Sequence, residues 1–101
     1  MTKRHPSIRP THPGEIIRED VLPALGISKA KFAEALGISR QSLHSFLSEK
    51  SPVTAELALR LERVVGSSAE TWLAMQSELD LHYARKKVDP RRLTRLHARE
   101  D

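Results

Sequence analysis

SKAKFAEALGISRQSLHSFL, residues Ser28 to Leu47, carries two apolar helical stripes on either side of the phrase LGIS. The stripes are Phe32, Ala33 and Leu36 before it, then Leu43, Phe46 and Leu47 after it. The same five letters, ALGIS, stand at Ala24–Ser28 and again at Ala35–Ser39. Each copy has the parts of a joint. A glycine tolerates the positive φ that ends a helix, an apolar residue packs over that end, and a serine caps the free N–H groups of the next helix. Two joints eleven residues apart bracket one short helix, so residues 28 to 48 read as two helices linked by a tight turn, the layout of a helix-turn-helix. An eleven-residue unit is too short for a solenoid, whose repeats need roughly 20 residues or more.

Other helices follow on both sides. HPGEIIRED begins one at Pro13, a residue suited to the first helical position, with Ile16 and Ile17 facing inward and His12 opening it. Pro23 is expected to stop it after Leu22. Beyond the central pair, Thr54 starts a helix whose apolar face is Leu57, Ala58, Leu61, Val64 and Val65, ending at Gly66. Ser67-Ser-Ala-Glu70 has capping-box spacing and opens a fifth helix to about Arg85, with Trp72, Gln76, Leu79 and Tyr83 on one stripe. That stripe marks Trp72 as core or dimer interface. Asp89 and Pro90 could start a last short basic helix carrying Leu93 and Leu96. No segment alternates as a strand does, and the expected class is all-α, with five helices.

Composition excludes several classes of function. The 101 residues contain no cysteine, which removes disulfides, thiolate nucleophiles and Cys-based zinc sites and fits a reducing compartment. No run approaches the ~18 apolar residues of a membrane span, and the first residues lack a signal peptide's apolar stretch, so a cytoplasmic location with no membrane partner is expected. The five histidines have no metal-ligand spacing, and Ser42 and His44, two apart on a helix, do not face each other. Neither a metal site, a cofactor nor an enzyme is expected.

Net charge is +4, unevenly spread. Residues 1–9 carry +3 and residues 85–101 carry +4, whereas residues 10–84 carry −3. Three regions follow: a basic N-terminal arm (1–11), a helix-turn-helix domain (12–85) and a basic C-terminal tail (86–101). Ends of this composition are also typical of solvated, partly disordered tails.

The outward positions of the helix after Ser39 are Arg40, Gln41, Ser42, His44 and Ser45, with no carboxylate among them. In a helix-turn-helix the N-terminal part of the second helix enters the major groove, which makes Arg40, Gln41, His44 and Ser45 the candidates for reading bases. Arginine and glutamine reach guanine and adenine edges with two hydrogen bonds at once. Ser28, Lys29 and Ser39 lie at helix N-termini and Lys50 lies just past the reading helix, where phosphates are favoured. Exposed lysines such as Lys29, Lys31 and Lys50 also serve solubility alone.

HPGEI (12–16), the Leu59-Arg60-Leu61 pattern and Trp72-Leu73-x-x-Gln76, taken with FAEALGISRQSLHSFL, resemble the HigA family of antitoxins within the phage-repressor-like helix-turn-helix class. The resemblance spans about residues 12 to 84. It implies a five-helix domain that forms a homodimer, represses its own operon at an inverted-repeat operator and neutralises a HigB-like toxin, usually a ribosome-dependent messenger-RNA endonuclease. The chain departs from the family at Ser48-Glu49-Lys50, where Asn-Gly is common, and at Lys29, where Gln is frequent. A ribonuclease must attract phosphate and is expected to be basic, so the toxin is expected on the acidic helices, at Glu15, Glu19, Glu70 and Glu78. Two other readings remain: a free-standing repressor without a toxin, and a protein-interaction scaffold that has lost DNA binding.

Overall fold

His12 starts the first helix through its own side chain. Its Nδ1 accepts the Gly14 N–H at 2.8 Å, with Pro13 in the first turn, where a missing N–H costs nothing. The computed structural model describes residues 9–99, and residues 1–8 of the expected 1–11 arm, like residues 100–101 of the expected tail, lie outside them. Helix α1 is α-helical over Pro13–Ile16, π-helical over Ile17–Val21 and α-helical again over Leu22–Leu25. Pro23 therefore does not end the helix, contrary to the sequence expectation. A proline ring collides with the carbonyl four residues back in an α register. Here Leu22 N–H bonds to Ile17 O, five residues back, and the wider turn displaces the carbonyls that the ring would meet. The helix ends three residues later at Gly26, with φ of 66°.

Both ALGIS joints have the conformation that their letters imply. Helix α2 (Lys29–Leu36) is capped by Ser28, whose Oγ accepts the Lys31 N–H, and ends at Gly37 with φ of 72°. Helix α3 (Arg40–Leu47) is capped by Ser39, whose Oγ accepts the Ser42 N–H. Helix α4 (Ala55–Val64) is capped by Thr54. Helix α5 runs over Ala69–Lys87, two residues beyond the expected end, and its cap is Ser68 rather than Ser67. Ser67 itself has φ of 61°, so it belongs to the reversal after Gly66 and cannot cap. Glu70 consequently closes no capping box. The Ala69 N–H is satisfied instead by Glu62 of α4 at 2.9 Å.

These five helices, with no strand among the described residues, enclose one core. Ile17, Phe32, Ala33, Leu36, Leu43, Phe46, Leu47, Ala58, Leu61 and Trp72 are all buried within it. Trp72 is a core residue, and its indole N–H donates to the Gly66 carbonyl at 3.2 Å. The stripe expected along α5 is buried at Trp72, Gln76 and Leu79 but not at Tyr83, which is 47% exposed because α5 has by then passed the rest of the domain. The expected final helix is a single 3-10 turn, Pro90–Arg92, capped by Asp89, and Leu93 and Leu96 are exposed. Two leucines without a surface to cover do not hold a helix. Among the described residues, no helix is long and apolar enough to cross a membrane.

Three polar contacts, two of them from the buried side chains of His12 and Gln76, lock the helices together. Besides capping α1, His12 donates from Nε2 to the Ser51 carbonyl at 3.1 Å, which fixes the neutral tautomer, since Nδ1 must accept. Gln76 on α5 accepts the Val53 N–H at 2.9 Å and donates to Asp80 at 3.0 Å. Arg60 on α4 donates to the carbonyls of Leu36 at 2.8 Å and Gly37 at 3.3 Å, which closes the end of α2 at the turn of the helix pair.

Burial lowers the pKa of His12 from its ordinary 6.5 and keeps the ring neutral. The unfolded ring takes up a proton near 6.5 and the folded ring only at lower pH. Its stabilising effect is therefore present above pH 6.5 and is lost as pH falls through the folded value. Thermal unfolding between pH 7.5 and pH 5 should show a falling midpoint. His12→Asn, which can cap but cannot titrate, should fall less steeply over the same interval, and parallel curves would refute the assignment.

Candidate nucleic-acid interface

Helix α3 is held from behind at both ends. At its C-terminal end, Arg18 of α1 donates to the Leu47 carbonyl at 2.6 Å and pairs with Glu49 at 3.2 Å, and Arg9 pairs with the same carboxylate at 3.2 Å. Gly14 lies so close to Phe46 that a β-carbon there would collide with the Phe46 carbonyl. At the N-terminal end, the αL glycine of the turn sends its own N–H to Glu34 and the following Ile38 N–H to Ala33, which ties off the end of α2. Leu43, Phe46 and Leu47 face the core, which turns the opposite side of the helix to solvent.

That outer side carries Arg40, Gln41 and His44, all exposed, with Ser45 half-buried at its edge. They fall at helical spacing on one face. Among the described residues, the side chains of Arg40, Gln41 and His44 make no hydrogen bond or ion pair, so their donors are available to a ligand. Of the expected phosphate contacts, Lys29 and Lys50 are exposed and likewise unpaired among the described residues. Ser28 and Ser39 are already engaged as caps, and Ser39 also donates to the Ser42 hydroxyl at 2.9 Å. Any phosphate at these helix starts must therefore be met through backbone N–H groups. An open groove of about 480 Å³ joins the two starts, lined by Ser28, Lys31, Glu34, Ser39 and Arg40. Glu34 is the one carboxylate in that lining, and Lys31 pairs with it at 3.4 Å.

The four acidic residues expected to meet a toxin do not form one cluster by sequence, since Glu15 and Glu19 lie on α1 and Glu70 and Glu78 on α5. Glu15 is half-buried beside Arg9 at 3.7 Å, and Glu19 accepts from Arg18 at 2.9 Å. Glu70 and Glu78 are exposed.

The arrangement matches known proteins. The helix-turn-helix family description covers residues 17–72. Virulence-associated protein I of Dichelobacter nodosus is 42% identical over 72% of this chain and 68% of its own length. The Pseudomonas aeruginosa antitoxin HigA, solved with the higBA promoter, is 38% identical, with a TM-score of 0.73 over 78% of this chain and 86% of that one. The chain belongs to the HigA antitoxin family. Antitoxin GraA, solved in complex with its operator, is 35% identical, with a TM-score of 0.79 over 94% of this chain and 99% of that one.

Arg18, Arg60, Glu49 and Gln76 hold the framework without being part of the exposed face; the sequence places Gln76 on the inward stripe of α5 and Arg60 in a family pattern, but it does not give the bonds that they make. HPGEI, LRL and WLxxQ marked the family, but the long-range partners of these residues lie 23 to 40 positions away, beyond the reach of any local pattern. The departure at Ser48-Glu49-Lys50 also has a physical account. Glu49 has φ of 65°, the conformation that a glycine adopts freely, and its carboxylate is held by two arginines.

A side chain at such a φ costs roughly 1 kcal/mol, and the half-buried pairs with Arg9 and Arg18 offset a similar amount. Glu49→Ala keeps the strain and loses the pairs, so urea unfolding should show a loss of about 1 kcal/mol. Glu49→Gly loses the pairs and the strain together and should stay within about 0.5 kcal/mol of the parent. Equal losses in both variants would show that the strain contributes nothing, and a Glu49→Ala variant as stable as the parent would show that the ion pairs contribute nothing.

Proposed function

We propose that this HigA-family protein binds an inverted-repeat operator as a homodimer, represses its own operon, and neutralises a HigB-like ribonuclease toxin by direct binding. The observation that carries the DNA reading is the unpaired, carboxylate-free face of Arg40, Gln41 and His44 on a helix anchored at both ends. Arg40 and Gln41, at the N-terminal turn, read bases, with His44 and Ser45 one turn later. Lys29, Lys50 and the free backbone N–H groups after Ser28 and Ser39 hold phosphates and set the register. One such helix covers too few base pairs for specificity, and a two-fold protein matches a two-fold site about one DNA turn across. Operator or promoter DNA is named in the solved structures of GraA and of the Pseudomonas aeruginosa HigA, which supports the reading.

The acidic body supports the toxin. Carboxylates on α1 and α5 do nothing for phosphate binding, but they attract a basic ribonuclease and orient its approach. Glu15, Glu19, Glu70 and Glu78 are its proposed contacts, which leaves α3 free for DNA.

Arg40→Ala or Gln41→Ala should weaken binding to the cognate operator by ~1–3 kcal/mol and relax base preference at one position of each half-site. Unchanged discrimination between cognate and scrambled DNA in both variants would show that another element reads the site. Lys29→Ala should instead weaken binding to all sequences alike and reduce the salt dependence.

Glu19→Lys combined with Glu70→Lys should slow toxin association at least tenfold at low salt, with the difference shrinking at high salt and operator binding no weaker. Equal association rates in a folded variant would place the toxin elsewhere.

A further inference from the structure

Helix α5 ends at Lys87, and the chain turns through Pro90–Arg92 into residues 93–99, all of them exposed. The turn has the parts of a helix start. Asp89 accepts the Arg91 N–H at 3.0 Å, and Pro90 fills the first position. At about 100° per residue, a helix continued from that start would set Arg91, Arg92, Arg95 and Arg99 within an arc of about 100°. On the same spacing Leu93, Leu96, Glu100 and Asp101 fall outside the arc. The helix stops after one turn, because like charges on one side repel and Leu93 and Leu96 have no surface to cover. A row of phosphates would remove the repulsion.

The chemistry of the segment selects a duplex backbone. Arg85, Lys86 and Lys87 at the end of α5 begin the basic run, and Asp89 is the one carboxylate among residues 81–99. That carboxylate is already engaged by the Arg91 guanidinium, at 3.1 Å and 3.3 Å. Arg95 makes no ion pair or hydrogen bond among the described residues. A guanidinium meets phosphate with two parallel bonds, and several of them along one helix face can follow a strand of phosphates. Single strands are bound on aromatic platforms, but residues 84–99 contain no Phe, Tyr or Trp, and Lys86 lies over the Tyr83 ring at 5.7 Å. A membrane surface would need a broader apolar face than two leucines. The course of the chain fits the same partner. Helix α5 passes the loop that follows α3, where Gln76 accepts the Val53 N–H, and runs on for ~16 Å to Lys87. Residues 88–99 can span up to ~40 Å when extended, enough to return to a duplex held by α3.

We infer that residues 89–99 fold into a helix with an arginine face on the phosphate backbone of duplex DNA, beside the operator half-site held by α3. The inference rests on the DNA reading above and adds to it a second, sequence-independent contact. The segment gains order only when phosphate is bound, so it strengthens binding to every duplex and leaves the choice of sequence to Arg40 and Gln41.

Two full-chain variants test it by fluorescence anisotropy, on labelled operator and on a scrambled duplex of the same length, over a salt series. All the substituted residues are exposed, so the folded domain should not change. R92Q/R95Q/R99Q should weaken binding to both duplexes about tenfold or more at low salt, and should make the fall of log K with log salt shallower by about 3. Thr94→Pro leaves every charge in place but cannot continue the helix, and it should lose most of the same affinity. Amide exchange at residues 93–98 should be slowed by either duplex in the parent and not in Thr94→Pro. Parent affinity in either variant overturns the inference. A larger effect of the three glutamines on binding to an RNA hairpin or to anionic vesicles than on the duplexes overturns it too. A parent that does not prefer operator to the scrambled duplex overturns base reading by α3 instead, and the loss on scrambled DNA still decides the role of the segment.

Discussion

The close approach of Gly14 to the Phe46 carbonyl sets the position of the DNA-facing helix. A β-carbon at residue 14 would push α1 away from the end of α3, and with it the Arg18 guanidinium that bonds the Leu47 carbonyl. His12 adds a second tie, because its ring caps α1 with one nitrogen and holds the Ser51 carbonyl with the other. Helix C-termini leave carbonyls unsatisfied, and a buried end without partners is costly. In this fold the last turn of α3 is served by α1, which converts a local need into a long-range constraint on orientation.

The same logic separates the residues that build the site from those that can read a ligand. Arg60 closes the end of α2, Gln76 satisfies the Val53 N–H, and Arg18 and Arg9 secure Glu49. All of these side chains are committed to their own protein. Arg40, Gln41 and His44 have no such commitments among the described residues. A side chain can discriminate between bases only if its donors are not already used, and it can do so at a fixed geometry only if the helix beneath it is fixed. The motifs that mark the family therefore belong to the framework.

Charge is distributed to the same end. The reading face is free of carboxylates, while α1, α4 and α5 carry most of the acid, and residues 85–101, from the last turn of α5 onward, carry +4. A uniformly basic protein of this size would meet DNA well but would repel a basic protein partner. Under the proposed function, dividing the signs between surfaces would let one small domain meet both.

The sequence by itself determined the local structure. Gly26 and Gly37 take up positive φ and Ser28 and Ser39 cap helices in both copies of ALGIS, because those preferences involve only neighbouring backbone groups. The apolar stripes of α2, α3 and α4 likewise fixed which sides face inward. What the five letters could not tell was burial. Leu36 is 2% exposed and Ile38 half-buried, whereas their counterparts Leu25 and Ile27 are 49% and 38% exposed. Only the second copy lies between two helices that close over it, with Arg60 arriving from α4, and that enclosure depends on contacts more than twenty residues apart. Tertiary structure likewise carried α1 past Pro23 through a π turn, moved the α5 cap from Ser67 to Ser68 and left Tyr83 in solvent. In each case the surrounding structure outweighed a local preference, about 1 kcal/mol for a cap and about 3 kcal/mol for a proline inside a helix.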